Sequence, residues 1–423
     1  MAQTNPEFDR IAPYIPARIS VDSLVDGCLA FALLISFLVF IEPAPYEVAV
    51  LIVGIALFLA RAPIPRALAP LILTLGLLAV FGAFSALQVV FDSKAIMYYL
   101  ITVYFEISVV IFAVAFAQHP ERRLAVLERW YIRAAVLAAL LGIIGYFATP
   151  KGGESLLLLA GRAKATFKDP NVYGPFLVLP VLFLLQRIIY DRFRLSTVIT
   201  ILVILLGLFL SFSRGAWGHL AGSGGIMLAL MFFTNRDPMF RLRLINLSVL
   251  GVLCIAALLA LLLSFSSLSA MFTERVNLTN YYDQGEAGRF GNQLRGFLTI
   301  FDYPNGTGPR QFKIMFGNDP HNTYLAAFYA YGWGGGIAYA VLVALTLWIG
   351  LKGALVKTPW QAGLIAIYGT YVGDALESFI IDTDHWRHYF LLMGGVWGFA
   401  VASLRARAQQ TPRMQQAPSP SPS

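Results

Sequence analysis

Residues 267–321 read SLSAMFTERVNLTNYYDQGEAGRFGNQLRGFLTIFDYPNGTGPRQFKIMFGNDPH. This is the longest polar interval of the chain, and it decides how the rest is read. It carries Arg275, Arg289, Arg295, Arg310 and Lys313 and closes on Asp319-Pro320-His321-Asn322. One apolar run ends just before it and another begins just after it. A polar insert between two such runs reads as an extramembrane cap over a membrane-embedded site.

The flanking runs set the class. Hydrophobic residues make up 58% of the chain and charged residues 13%, against about 45–50% and about 25% in a soluble domain. Apolar runs near 20 residues recur throughout, each long enough to cross about 30 Å of hydrocarbon. Twelve spans are expected, at roughly 24–41, 46–60, 70–90, 98–117, 131–148, 171–190, 195–213, 215–233, 244–267, 322–350, 360–380 and 386–404. The alternation of a membrane β-barrel is missing. The expected fold is therefore an all-α polytopic membrane protein. Its expected parts are a cytoplasmic N-terminal segment over 1–22, a transmembrane domain over 23–404 and a disordered Pro-Ser tail over 405–423. The domain includes a periplasmic cap over 268–321, between spans nine and ten. Cys28 and Cys254 fall inside apolar runs and read as small hydrophobes. No cleavable signal peptide is evident, so the first span is expected to direct insertion.

Basic residues orient the chain. Placing both termini in the cytoplasm puts 19 Lys and Arg on the inner face and 7 on the short outer loops. That asymmetry follows the positive-inside rule. It also accounts for the net charge of +8 without nucleic acid as a partner. The outer exceptions then stand out. Arg162, Lys164, Lys168 and Arg214 sit on the unfavoured side, which points to an anionic ligand there.

Ser211-Phe212-Ser213-Arg214-Gly215 has almost no loop between its flanking runs, so Arg214 lies at or below the interface. An Arg there needs a partner or a watered cavity, and its planar fork suits phosphate oxygens. The plainer alternative is an Arg reaching lipid headgroups. His321 opens span ten, and a neutral imidazole there could take a proton from a hydroxyl; alternatively it only hydrogen-bonds the helix start. Within the cap, Glu286, Arg289 and Arg295 add charge. Pro304-Asn305-Gly306-Thr307-Gly308 forces turns, and two readings stand: backbone amides exposed to a phosphate, or loop punctuation. Asp382-Thr383-Asp384 suggests metal-bound nucleotide sugar, but an outward-facing turn argues against it; ion pairing to Arg387 or to cap arginines is the expected role. Five histidines without ligand spacing give no sign of a metal site. Glu106, mid-span, must be neutral, paired or cavity-facing.

Taken together, Ser213–Gly215, the Arg-rich loop, Pro304–Gly308, His321–Leu325 and Phe167–Asn171 resemble the O-antigen ligase and O-antigen polymerase superfamily of bacterial envelope enzymes. The resemblance implies a metal-independent, inverting glycosyltransferase of GT-C type in the bacterial inner membrane, with its active site periplasmic and no cofactor. Such an enzyme moves a glycan from an undecaprenyl-pyrophosphate carrier to lipid A–core in a ligase, or to another lipid-linked repeat in a polymerase. It implies His321 as the activator of the acceptor hydroxyl and Arg214 and Arg289 as holders of the pyrophosphate, with Arg162 and Arg295 as further pyrophosphate candidates. Asn322, Glu286, Asp319, Asp384 and Arg387 are secondary candidates. The non-enzymatic alternative is a lipid-linked oligosaccharide flippase or transporter, for which repeat halves and midplane charge would be expected.

Overall fold

The computed structural model describes residues 21–150, 153, 155–190, 193–276, 285 and 288–415. Its helices, in chain order, are α1 (Val21–Ile35), α2 (Pro45–Leu59), α3 (Ala69–Leu87), α4 (Ser93–Phe116), α5 (Pro120–Ala148), α6 (Pro170–Phe176), α7 (Val178–Tyr190) and α8 (Leu195–Leu210). They continue as α9 (Arg214–Thr234), α10 (Pro238–Leu263), α11 (Ser266–Val276), α12 (Arg289–Thr299), α13 (Gln311–Phe316), α14 (Thr323–Ala354), α15 (Gln361–Glu377) and α16 (Arg387–Gln415). A hairpin pairing Leu158–Leu159 with Arg162–Ala163 is the one sheet among the described residues. The protein is an all-α polytopic membrane protein.

Helices stand at all twelve expected spans, with α6 and α7 together forming the sixth. Eight segments are long and apolar enough to cross a membrane. The others, α1, α2, α8 and α15, have 15 to 17 residues. At 1.5 Å per residue these reach about 23–26 Å, short of a full hydrocarbon core.

Burial ranks the helices. In α16 83% of the most apolar window is inside the protein, whereas in α10 it is 6%. Helix α16 is thus the axis of the bundle and α10 a peripheral, lipid-facing helix. The α16–α4 contact depends on small residues. A Cβ on Gly394 would come within 2.8 Å of the Val109 carbonyl oxygen, and one on Gly398 within 2.7 Å of that of Ala113. Backbones approach this closely only where glycine leaves room. Phe105 and Phe390 then stack at 4.7 Å, and Phe116 and Phe399 at 4.8 Å.

Two boundaries differ from expectation. Helix α5 begins at Pro120, so Arg122, Arg123, Arg129 and Arg133 lie on the helix and not in a loop. Arg123 is buried: its Nε donates to Asp26 at 3.3 Å and its guanidinium also donates to the Ala115 carbonyl. The pair with Asp26 offsets the burial of the charge. At the other terminus α16 continues to Gln415, past the start of the tail expected from 405. An amphipathic continuation with Arg405 and Arg407 carries the helix beyond the apolar span.

Helix α14 is interrupted at Gly332, with φ 70° and ψ −176°. The Pro304–Gly308 turn fills that break. Trp333 N–H donates to the Pro304 carbonyl at 2.9 Å, and Thr307 N–H to the Tyr329 carbonyl at 2.7 Å. Thus the Pro304 carbonyl and the Thr307 amide serve the broken helix. Around it Ile300, Phe312, Leu325 and Tyr329 make a small separate core that seats the cap on α14. A Cβ on Gly332 would lie 2.7 Å from the Pro304 carbonyl oxygen, in a backbone region open only to glycine. Gly332→Ala should therefore destabilise the protein by about 1–3 kcal/mol. Thermal unfolding in detergent, with limited proteolysis of the cap as a local readout, checks this; a wild-type profile would show that the kink does not hold the cap.

Candidate active site

The loops at one end of the bundle meet one another. Arg387 donates to Glu47 at 2.6 Å, Lys168 pairs with Glu42, and Gln88 donates to the Asn305 carbonyl at 3.0 Å. The cap closes over this end. Beneath it lie two cavities.

The first, of about 540 Å³, is lined by Arg162, Arg214 and Arg289, with Ser213, His219 and Glu377 among its other walls. Its arginines come from three separate places. Arg162 follows the tight turn of the hairpin, where Ala160 and Gly161 both have positive φ, 49° and 71°, as a two-residue type I′ connection requires. Its Nε donates to the Ser211 carbonyl at 2.9 Å and its other end to Asn171 Oδ1 at 2.8 Å. Arg214 opens α9 directly after a three-residue turn. All three turn residues are buried, and Ser213 caps the helix by accepting from Ala216 N–H at 3.3 Å. Arg289 opens α12, and one terminal nitrogen donates to the Ile380 carbonyl at 3.4 Å. The α9 N-terminus adds the positive end of its dipole to the same space. Three guanidinium groups and a helix start have the charge and donors that suit a compact polyanion.

The second cavity, of about 350 Å³, has a different lining: Asp319, Asp382, Asp384, His385 and Trp386, with Lys313 and Arg310 from the cap. Aromatic faces beside carboxylates suit a polyhydroxylated ligand. Asp382 shapes its edge. It accepts from His321 N–H at 3.1 Å and from Asn322 N–H at 3.0 Å. Burial raises its pKa, as do the Asp384 and Asp319 carboxylates, and these two amide donors oppose the rise.

His321 lines neither cavity but directly follows Pro320, a wall of the second. Its φ is 48°, in the left-handed region that a non-glycine residue occupies only when held there. Three contacts hold it: the amide bond to Asp382, a Gln293 side-chain N–H to its carbonyl at 2.9 Å, and Nδ1 at 3.7 Å from Asp382. Burial lowers the imidazole pKa, and the Arg289 charge lowers it further. The ring is therefore neutral at pH 7 and can accept a proton.

Other sequence candidates have other positions. Arg295 stands apart from the arginine cavity, donating to Asn292 with its guanidinium 5.5 Å from the Phe316 ring. Asn322 caps α14, accepting from Leu325 N–H at 3.0 Å. Asp319 pairs with Lys313 at 2.8 Å. The expected pairing of Asp382 and Asp384 with Arg387 does not form, because Glu47 and Glu42 take Arg387 while Tyr98 donates to Asp384. Glu286 lies outside the described residues. Glu106 is buried, and its Oε1 has no hydrogen-bond partner among the described residues.

One group escaped the sequence reading. His219, Asp374 and Glu377 are buried together under the arginine cavity. They come from α9 and α15, far apart in the chain, so no local spacing announces them. The available signal was Asp374 itself, a carboxylate inside an apolar run.

Comparison with known proteins fits this geometry. Residues 199–340 match the family model described as O-antigen ligase. The stretch is O-antigen ligase-like. It runs from α8 into α14 and includes Arg214, Arg289, Arg295 and His321, but not Arg162. A search of the curated proteins finds no match. The O-antigen ligase-like segment supports a membrane enzyme of ligase or polymerase type.

The electrostatic link between the two cavities can be measured. His321 should titrate below its ordinary value of 6.5, and Arg289→Gln should move the midpoint upward by removing a nearby positive charge. Histidine-selective NMR titration, with the signal assigned by its loss in His321→Gln, checks both. An unchanged midpoint in Arg289→Gln would separate Arg289 from His321.

Proposed function

We propose that this protein is a periplasm-facing glycosyltransferase that moves a glycan from undecaprenyl pyrophosphate to an acceptor hydroxyl, as a ligase acting on lipid A–core. The observation that carries this is the convergence of Arg162, Arg214 and Arg289 on one cavity, with His321 within reach of the Arg289 charge and directly after Pro320, which lines the second. The donor's pyrophosphate occupies the first cavity and the acceptor sugar the second. Neutral His321 removes the acceptor proton as the hydroxyl oxygen attacks the anomeric carbon. The bond to the phosphate oxygen breaks on the opposite face, so configuration inverts. The arginines stabilise the departing pyrophosphate, so the leaving group needs neither a nucleotide nor a metal ion bound to it. With an acceptor on a second lipid carrier the same geometry serves polymerisation.

Orientation is part of the proposal: both termini cytoplasmic in the inner membrane and the cap periplasmic, from the Lys and Arg asymmetry. A cysteine replacing Asn318, which is exposed on the cap, should react with an impermeant thiol reagent applied to cells with a permeabilised outer membrane. Reaction only after the inner membrane is opened would reverse the topology.

Reconstitution with a lipid-pyrophosphate glycan tests the chemistry. His321→Ala should lower glycan transfer by about 10²–10⁴-fold with donor binding retained. Arg214→Lys keeps the charge but loses the planar fork, and should weaken donor binding. Near-normal transfer by His321→Ala would remove the base assignment. Translocation of the glycan-lipid without transfer would favour a flippase.

A further inference from the structure

Beneath the arginine cavity three lone-pair donors face one another inside the bundle. His219 Nδ1 lies 3.1 Å from Glu377 Oε2 and 3.5 Å from Asp374 Oδ1. The other ring nitrogen is committed: Nε2 lies 3.0 Å from the Thr370 carbonyl oxygen. A carbonyl can only accept, so the Nε2 proton is fixed. In the neutral ring Nδ1 is then a bare lone pair, aimed at two carboxylates. Something positive must sit among these three atoms.

We infer that His219, Asp374 and Glu377 form a binding site for one divalent transition-metal ion, of the Zn²⁺ or Mn²⁺ class. The spacing fits. Tetrahedral ligands at about 2.1 Å from a metal stand about 3.4 Å from one another, close to the 3.1 and 3.5 Å observed. The ligand set fits as well. A neutral imidazole and two carboxylates cancel a 2+ charge, which a low-dielectric interior demands. The outer contact fits too, since a metal-bound histidine characteristically donates its remaining N–H to a backbone carbonyl or carboxylate.

Independent features point to the same place. Both Asp374 carboxylate oxygens are fully buried and make no hydrogen bond among the described residues. His388 Nε2, also buried and without a hydrogen-bond partner, approaches Asp374 Oδ1 to 3.8 Å from α16. The backbone leaves room for the ligands. A Cβ on Gly215 would fall 2.2 Å from Glu377 Oε1, and one on Gly373 2.2 Å from the His219 ring. Glycine at both positions lets α9 and α15 close around the cluster. His219 and Glu377 also line the arginine cavity, so the cluster lies directly beneath it. The ion ties α9, which starts with Arg214, to α15 and so fixes the cavity floor. The sequence offered no metal-ligand spacing because the ligands come from two helices joined only in the fold.

This inference does not rest on glycan transfer, and its test needs no substrate. Full-length protein, purified in detergent, is incubated separately with Zn²⁺, Mn²⁺ and Co²⁺, freed of loose ions, and assayed for metal per chain. One tightly held equivalent is expected, and the Co²⁺ form should show the visible absorption of a low-coordinate site. Affinity should drop at least about 100-fold in His219→Gln and in Asp374→Asn, beyond the loss that follows from outer-contact changes alone. His321→Ala should keep the metal. Asp374→Asn is nearly isosteric, and a wild-type unfolding profile shows whether it is folded. Wild-type protein that takes up none of the three ions, or folded variants that hold them as well as wild type, would overturn the site and leave a shared proton in its place.

Discussion

A charge in hydrocarbon must find a partner, and the arrangement of this protein follows from that constraint. Arg123 is inside because Asp26 meets it. Arg387 reaches the bundle axis because Glu47 and Glu42 neutralise it. His219, Asp374 and Glu377 share one space because none could be buried alone. At the cap end Arg162, Arg214 and Arg289 line one cavity, where water can solvate their charge.

The cap does more than cover. Its core of Ile300, Phe312, Leu325 and Tyr329 fixes it to α14, and its Pro304–Gly308 turn occupies the break in that helix. Helix α14 starts two residues after His321, and Asp382 ties that start to the α15–α16 loop. The same contacts therefore set cap position, helix start and imidazole position. His321 adopts its strained backbone because Gln293 of α12 and Asp382 of the α15–α16 loop hold it, which fixes the orientation of its ring.

Much of this was legible in the sequence, for reasons that differ by feature. Apolar run length announced the helices directly. Arg162 and Arg214 stood out as basic residues in short loops that the positive-inside reading expects to carry few, and Arg289 stood out by the family resemblance. Individual pairings were not legible. Arg387 could equally have met Asp382 or Asp384, and only the placement of the first turn of α2 beside the start of α16 decides for Glu47. Arg295, on the same helix as Arg289, packs instead on Phe316. The Gly-rich turn had two readings until α14 was seen to break at Gly332. The buried cluster was least visible, because α9 and α15 are adjacent only after folding.

Glycine on α9 links these layers. Gly215 follows Arg214 and faces Glu377, while Gly218 and Gly222 line the same cavity wall. A side chain at Gly215 would push Glu377 away from His219 and, through the first turn of α9, displace Arg214. The cavity-lining Arg214 and the buried Glu377 carboxylate are thus set by one backbone contact. Recognition at the mouth of the cavity and charge balance at its floor are consequences of the same close approach between α9 and α15.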